Sequence, residues 1–302
     1  MTDFQRYLAA KRSVDDRALD RRLLGRLADG AARAADDGDG PLRVLEVGAG
    51  VGTMTERLLE RELLPAADVR YTAVDVDPDN VAALRERLPA WAADRGLETT
   101  DDDGTLRIDA EGPTLTVEPV VADGVAFVAD ADRSWDLLVG MALLDIVGLE
   151  NLDGLLAALA PGGLWYFPIT FDGATRFAPA HPADRAVERA YHRHMDEKAG
   201  GDSRAGSHAL SRLRRRPDAT VLDVAGSDWS VRPVDGDYPG SEAALLKYVL
   251  DTVETAVGET TGSGFAATLE EWLATRRRQL EAGTLTYTTH QLDLLGRVDP
   301  PQ

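Results

Sequence analysis

The chain has 302 residues, enough for one enlarged domain or two small ones, and sets 52 acidic against 33 basic side chains for a net charge of −19. That balance argues against nonspecific nucleic-acid binding, which depends on neutralising phosphates. The lack of cysteine excludes disulfides, thiolate metal sites and thiol nucleophiles, and no stretch approaches the roughly 18 apolar residues of a membrane span.

The opening Met-Thr-Asp-Phe-Gln-Arg has no signal-peptide apolar run, so a cytoplasmic protein is expected. Lys11, Lys198 and Lys247 are the only lysines, every other basic residue being arginine. An acidic, lysine-poor composition suits molar salt, where the Debye length is about 3 Å, and predicts the acidic proteome of a halophile.

Residues 1–40 predict an N-terminal helical segment. Phe4, Tyr7 and Leu8 share one helical face, and residues 13–16 resemble a capping box opening a helix that carries Leu19, Leu23 and Leu27. Residues 43–47 then read as a buried strand, and Gly48-Ala49-Gly50-Val51-Gly52 as a bend lacking Cβ atoms where the backbone turns sharply, one that would present free N–H groups. Val51, Met54 and Leu58 give the apolar stripe of the following helix, whose N-terminus faces the bend. The glycines fall as G-x-G-x-G rather than the G-x-G-x-x-G of dinucleotide sites, and Glu46 precedes them where a dinucleotide fold keeps an apolar strand end. A carboxylate there suits a ligand with positive charge. The second strand, residues 71–75, ends in Asp75, at about the 20-residue distance of a ribose-reading acid.

The stretch V-L-E-V-G-A-G-V-G-T followed by A-V-D-V-D-P resembles motif I and the ribose acid of class I S-adenosylmethionine-dependent methyltransferases. The resemblance implies an α/β, Rossmann-like, mostly parallel sheet with an antiparallel last strand, N-terminal helices and a helical insertion. It implies S-adenosyl-L-methionine as cofactor, with Glu46 at its amino end, Gly48, Ala49, Gly50 and Gly52 letting the backbone approach it, Asp75 at the ribose and Val76 among the cofactor contacts. Since related small-molecule enzymes build a lid before motif I, Tyr7, Lys11 and Arg12 become candidates for touching substrate. Packing of the segment on the sheet is the equal alternative.

Beyond Asp75, Pro78 starts a helix with Val81, Leu84, Leu88 and Trp91 facing the core. Residues 99–104 are acidic and expected to be solvated, and 105–108 and 114–121 predict strands. Asp123-Gly124 follows the third core strand, where the resemblance puts an acid on the adenine amino group; Asp123 serves equally well as a turn former. Residues 136–140 form a fourth strand apolar on both faces. The resemblance gives Gly140 a carbonyl on the cofactor's amino group and Met141 packing on adenine. Asp145 either faces the acceptor or caps a helix. A helix with Leu149, Leu152, Leu156 and Leu159 stops at a break over 160–163, before a fifth strand at 164–171.

Residues 172–218 change character, with His181, His192, His194 and His208 among arginines. His192 and His194 lie two apart in a helical stretch and point to different faces, so no metal site is expected. The segment reads as an exposed helical insertion that forms one wall of an acceptor pocket. Residues 219–302 complete the same domain as the 41–171 core, with a strand at 220–229, helices at 241–257 and from Phe265, and a terminal strand at 284–295 on which Thr286, Thr288 and His290 share a face. A general base has no motif support; Tyr166, His181, His192 and His290 are the candidates. With no cysteine and no Asp/Asn-Pro-Pro-Tyr/Phe stretch, DNA methylation is disfavoured, and the short arginine runs at 212–216 and 276–278 lack the aromatics of an RNA surface. The expectation is a methyltransferase for a small-molecule acceptor. A noncatalytic cofactor- or partner-binding protein and an NAD(P)-dependent oxidoreductase are the alternatives.

Overall fold

The computed structural model describes residues 2–300. Three helices lead: α1 (Asp3–Ala10), α2 (Arg12–Ala18) and α3 (Arg21–Asp37). The expected cap at 13–16 is not used. Asp16 is drawn away by Arg57, 2.6 Å off, and Asp20 caps α3 instead, accepting the Leu23 N–H at 2.9 Å.

The first half of the sheet runs β1 (Leu42–Val47), α4 (Thr53–Glu60), β2 (Asp68–Asp75), α5 (Pro78–Ala93), β3 (Glu98–Asp102), β4 (Thr105–Asp109) and β5 (Thr114–Val121). The second half continues with α6 (Gly124–Ala129), β6 (Trp135–Val139), α7 (Leu144–Val147), α8 (Leu152–Ala157) and β7 (Leu159–Ala178). After it come α9 (Asp184–Glu197), α10 (Ala205–Leu213), β8 (Ala219–Gly226), β9 (Trp229–Val231), α11 (Glu242–Thr260), α12 (Ser263–Glu281) and β10 (Thr286–Val298).

One sheet takes the order β3-β4-β5-β2-β1-β6-β7-β10-β8, with β9 pairing β10. β5, β2, β1, β6 and β7 are parallel, and β10 runs antiparallel to both β7 and β8. Successive strand residues face opposite sides of a sheet. Val44, Tyr71 and Leu137 accordingly join the apolar layer of α3, α4 and α5, while Leu45, Val74 and Leu138 join that of α8 and α10. This is the mostly parallel, Rossmann-like sheet with a reversed last strand that the resemblance implies. The chain winds outward from β1 through β2 to β5, then returns to build β6 and β7 on the other side. The β1/β6 boundary is therefore a topological switch point, and a crevice opens beyond the carboxyl ends of these strands.

Several elements differ from expectation. The acidic stretch expected to be solvated at 99–104 is mostly exposed, yet residues 98–102 form β3, because Asp103 (φ 52°) and Gly104 (φ 85°) make a two-residue turn that folds the strand onto β4. β7 begins at Leu159 rather than 164, carrying the expected break at 160–163 as an irregularity in its pairing with β6, and it crosses the 171/172 boundary as far as Ala178. The strand expected at 220–229 is two, since Ser227 and Asp228 interrupt it; Asp228 instead faces His290 across 2.6 Å.

Candidate functional site

The glycine bend sits where β1 ends. Gly48, Gly50 and Gly52 have φ of 75°, 54° and 84°, the left-handed region that side chains other than glycine's avoid. A Cβ on Gly52 would also come within 3.0 Å of Leu84 Cγ. The expectation of free amides is corrected by the bend's own bonding. The Gly48 and Ala49 N–H groups both donate to the Val74 carbonyl at 2.9 Å, Gly52 donates to the Ala49 carbonyl at 3.0 Å, and Gly50 donates to Asp75 Oδ2 at 2.7 Å. Three of these amides anchor the bend to the end of β2, and the fourth, Gly52, closes the bend on itself. A pyrophosphate would have to displace those bonds; a ligand that meets the bend through Cα atoms and carbonyls would not.

Glu46 is 2% exposed, on the face of β1 toward α4. The Tyr71 hydroxyl donates to its Oε2 at 2.7 Å. Burial pushes its pKa up to about 8, against the smaller opposing effects of the Tyr71 bond and the charge of Arg57. The charges of Arg57 and Lys11 favour the ionised form without forming an ion pair with it. A cationic group arriving in the crevice would therefore find a carboxyl with unused bonding capacity.

Asp75, 8% exposed, takes the Gly50 amide on Oδ2, and the Asp77 amide (2.9 Å) and Asn80 Nδ2 (3.1 Å) on Oδ1. A carboxylate has about four lone-pair sites, so room is left for a diol. Asp123 takes the turn-forming role at the start of α6. Its Oδ1 caps α6 by accepting the Val125 and Ala126 amides at 3.0 and 2.9 Å, and its side chain also borders the crevice.

The crevice encloses about 940 Å³. Of the predicted cofactor residues, Glu46, Gly48, Ala49, Gly50, Asp75, Val76, Asp123, Gly124 and Met141 line it, and so do Tyr7 and Lys11 of the N-terminal segment. Gly52 and Gly140 stand behind it; a Cβ on Gly140 would press on Leu143 and Phe167. Six of the substrate and base candidates are not on its wall. Arg12 is turned away by Glu56, at 2.6 Å, and by Glu60. Tyr166 is fully buried in the core, where desolvation raises its hydroxyl pKa far above the ordinary value. His290 lies in a separate hollow of about 400 Å³ with Asp172 and Asp228. His192 bonds Thr175 at 3.0 Å, and burial lowers its pKa. The Asp184 carboxylate accepts the amide of His181. Asp145 sits in the first turn of α7 and does not cap it.

The sequence reading missed three residues. Tyr71 supplies the hydrogen bond to Glu46, Asn80 steadies Asp75, and Tyr248 of α11 stacks on Tyr7 with ring centroids 4.2 Å apart. Tyr7 and Tyr248, with Phe4 at 6.0 Å from Tyr7, form an aromatic roof over one end of the crevice. Lys11, 7% exposed, is held by Asp15 at 2.8 Å, whose other oxygen takes the indole N–H of Trp229.

No family model matches the chain. A non-reducing polyketide synthase of Monascus ruber is 25% identical over 242 residues, covering 74% of this chain and 8% of that protein. A probable ribosomal RNA small subunit methyltransferase A of Haloarcula marismortui is 38% identical over 105 residues, covering 34% of this chain and 31% of that one. The chain thus spans less than a third of either relative. Among solved structures it is similar to an S-adenosylmethionine-dependent methyltransferase from Geobacter sulfurreducens in complex with S-adenosyl-L-homocysteine, with 14% identity, a TM-score of 0.42, and coverage of 94% of this chain and 92% of that one. The fold assignment rests on the strand order and on the reversal of β10.

Proposed function

We propose that the protein is an S-adenosylmethionine-dependent methyltransferase acting on a small-molecule acceptor. The observation that carries the reading is the pair of buried acids flanking a bend whose amides are already engaged, a site that suits an ammonium and a ribose and offers little to a phosphate. Glu46 would take the amino group of the methionine tail, Asp75 the ribose hydroxyls, Asp123 the adenine amino group, and Met141 and Val76 the faces of the base. When bound, the sulfonium supplies an electrophilic methyl. The residues of the crevice contribute orientation and exclusion of water, worth about 7–11 kcal/mol when attacking and accepting atoms are held in line. Lys11 and the roof of Tyr7 and Tyr248 close the end of the crevice toward the acceptor.

The test is calorimetric titration with S-adenosylhomocysteine and with NAD(P). Micromolar binding of the first alone is expected; binding of the dinucleotide alone would replace this reading with the oxidoreductase. Formation of S-adenosylhomocysteine from S-adenosylmethionine with a pool of metabolites separates an enzyme from a noncatalytic binder. RNA is disfavoured as acceptor because the two arginine runs are short and lack interleaved aromatics, and four of their seven arginines are paired with carboxylates of the chain. Arg212 and Arg216 hold Asp153, Arg276 holds Asp184, and Arg277 holds Asp251 and Glu254.

A cytoplasm rich in salt belongs to the same reading, supported by the net charge of −19 and the three lysines. Self-repulsion among so many acids is screened as the Debye length falls from about 10 Å at 0.1 M to about 3 Å at 1 M. The melting temperature is expected to rise by several degrees over that range of KCl. A flat or falling trend would remove the halophile from the account.

A further inference from the structure

A second cavity, of about 650 Å³, lies between α7, α9 and α11 and abuts the cofactor crevice, with Ile146, Tyr248 and Thr252 lining both. Its walls carry the carboxylates Asp145, Asp251 and Glu259 against one lysine, Lys198, among the described residues. Asp251 is answered by Arg277 at 2.9 Å, and Glu259, largely exposed to water, lies 3.7 Å from His194 Nε2. Asp145 has no ion-pair partner among the described residues, and its Oδ1 is buried with no hydrogen bond. Leaving a buried carboxylate oxygen unmatched costs about 1–3 kcal/mol or more, a defect that a bound donor would remove. Tyr191 and Tyr248 flank the same space, and electron-rich rings beside a carboxylate favour a cation over a neutral group of equal size. The Tyr191 hydroxyl feels both neighbours. Its pKa is pushed up to about 12 by burial and then by the charges of Asp145 and Tyr248.

We infer that this cavity is the acceptor site and that the acceptor is an amine which enters as a cation, held by the Asp145 carboxylate between the Tyr191 and Tyr248 rings. The inference rests on the methyltransferase reading for the reaction, though not for the binding. The ammonium first yields its proton to Asp145, which passes it to solvent. The freed nitrogen lone pair then makes the new carbon–nitrogen bond while the pair of the broken carbon–sulfur bond stays on sulfur. Asp145 thereby serves as both anchor and proton acceptor.

The probe is tetramethylammonium set against neutral tert-butanol, titrated into the full chain with and without S-adenosylhomocysteine. The cation is expected to bind at least tenfold tighter, a preference that Asp145→Asn abolishes and Tyr248→Leu, on a separate helix, lowers severalfold. Turnover is expected with butylamine and not with butanol. Equal binding of the two probes, a preference that survives Asp145→Asn, or methylation of the alcohol in place of the amine would overturn the inference. Retained cation preference with no affinity for S-adenosylhomocysteine would instead strike at the cofactor reading and leave this site standing.

Discussion

Glu46→Gln is expected to raise the melting temperature of the ligand-free protein at pH 8.5 by several degrees while weakening S-adenosylhomocysteine binding about 10- to 100-fold. Both effects come from one buried carboxyl. Its pKa rises from an ordinary 4.5 to about 8 on folding, with burial the largest cause. Between those values the folded chain holds more protons than the unfolded one, so stability is lost as pH climbs from about 4.5 to about 8 and is flat beyond. Glutamine is neutral throughout and removes that loss, a gain of a few kcal/mol at pH 8.5 that shrinks toward zero at pH 5. Each kcal/mol moves the melting temperature of a domain of this size by about 2–4 °C. Equal shifts at pH 5 and pH 8.5 would show that Glu46 is ionised in the free protein.

Binding turns the same carboxyl the other way. An ammonium beside Glu46 favours its charged form, so below pH 8 the wild-type protein should release a proton as it binds. Calorimetry in two buffers of different ionisation enthalpy reads that release directly. At higher pH the ligand's α-amino group, a free amino acid's ammonium whose own carboxylate holds its pKa above that of a peptide N-terminus, loses its proton in turn. Affinity should therefore be highest above about pH 8 and fall on both sides, and Glu46→Gln should abolish the acid limb alone. A hydrogen bond to a charged group contributes about 1.5–3 kcal/mol, which sets the expected loss of affinity.

How much of this site the sequence discloses depends on how local its contacts are. Glu46 and Asp75 stand out because each is an acid at the end of an apolar run, and the glycines between them mark a bend whatever the tertiary context. Tyr71 does not stand out. Its bond to Glu46 needs the pairing of β1 with β2, in which Glu46 faces Ala73 two places along. Tyr248 is further from reach still, since it meets Tyr7 only once α11 has folded back across the N-terminal helices. Arg12 illustrates the opposite failure. An arginine beside a predicted pocket looks available until α4 brings Glu56 and Glu60 to meet it. Within the fold, the turn at Asp103-Gly104 is legible as a hairpin signal masked by the acidity of the strand before it, and Gly226-Ser227-Asp228 is a local breaker cue that the strand expected at 220–229 runs through.

Asp75→Ala is expected to weaken S-adenosylhomocysteine by more than 100-fold and to lower the melting temperature as well. The carboxylate has two tasks in one place. It accepts the amides of Gly50 and Asp77 and the Asn80 side chain, so alanine strands three donors at the mouth of the crevice and frees the bend that Gly50 anchors. Each donor left unmatched costs about 1–3 kcal/mol if water cannot reach it. The ribose contacts are a separate loss, and a ligand lacking those hydroxyls separates the two. Against the wild-type chain, a 2′,3′-dideoxy analogue of S-adenosylhomocysteine should bind at least tenfold more weakly than the parent. Against Asp75→Ala the two should bind alike, because the group that tells them apart is gone. If the variant still prefers the parent by the wild-type margin, Asp75 serves only to hold the bend, and the sugar is gripped by another group on the crevice wall.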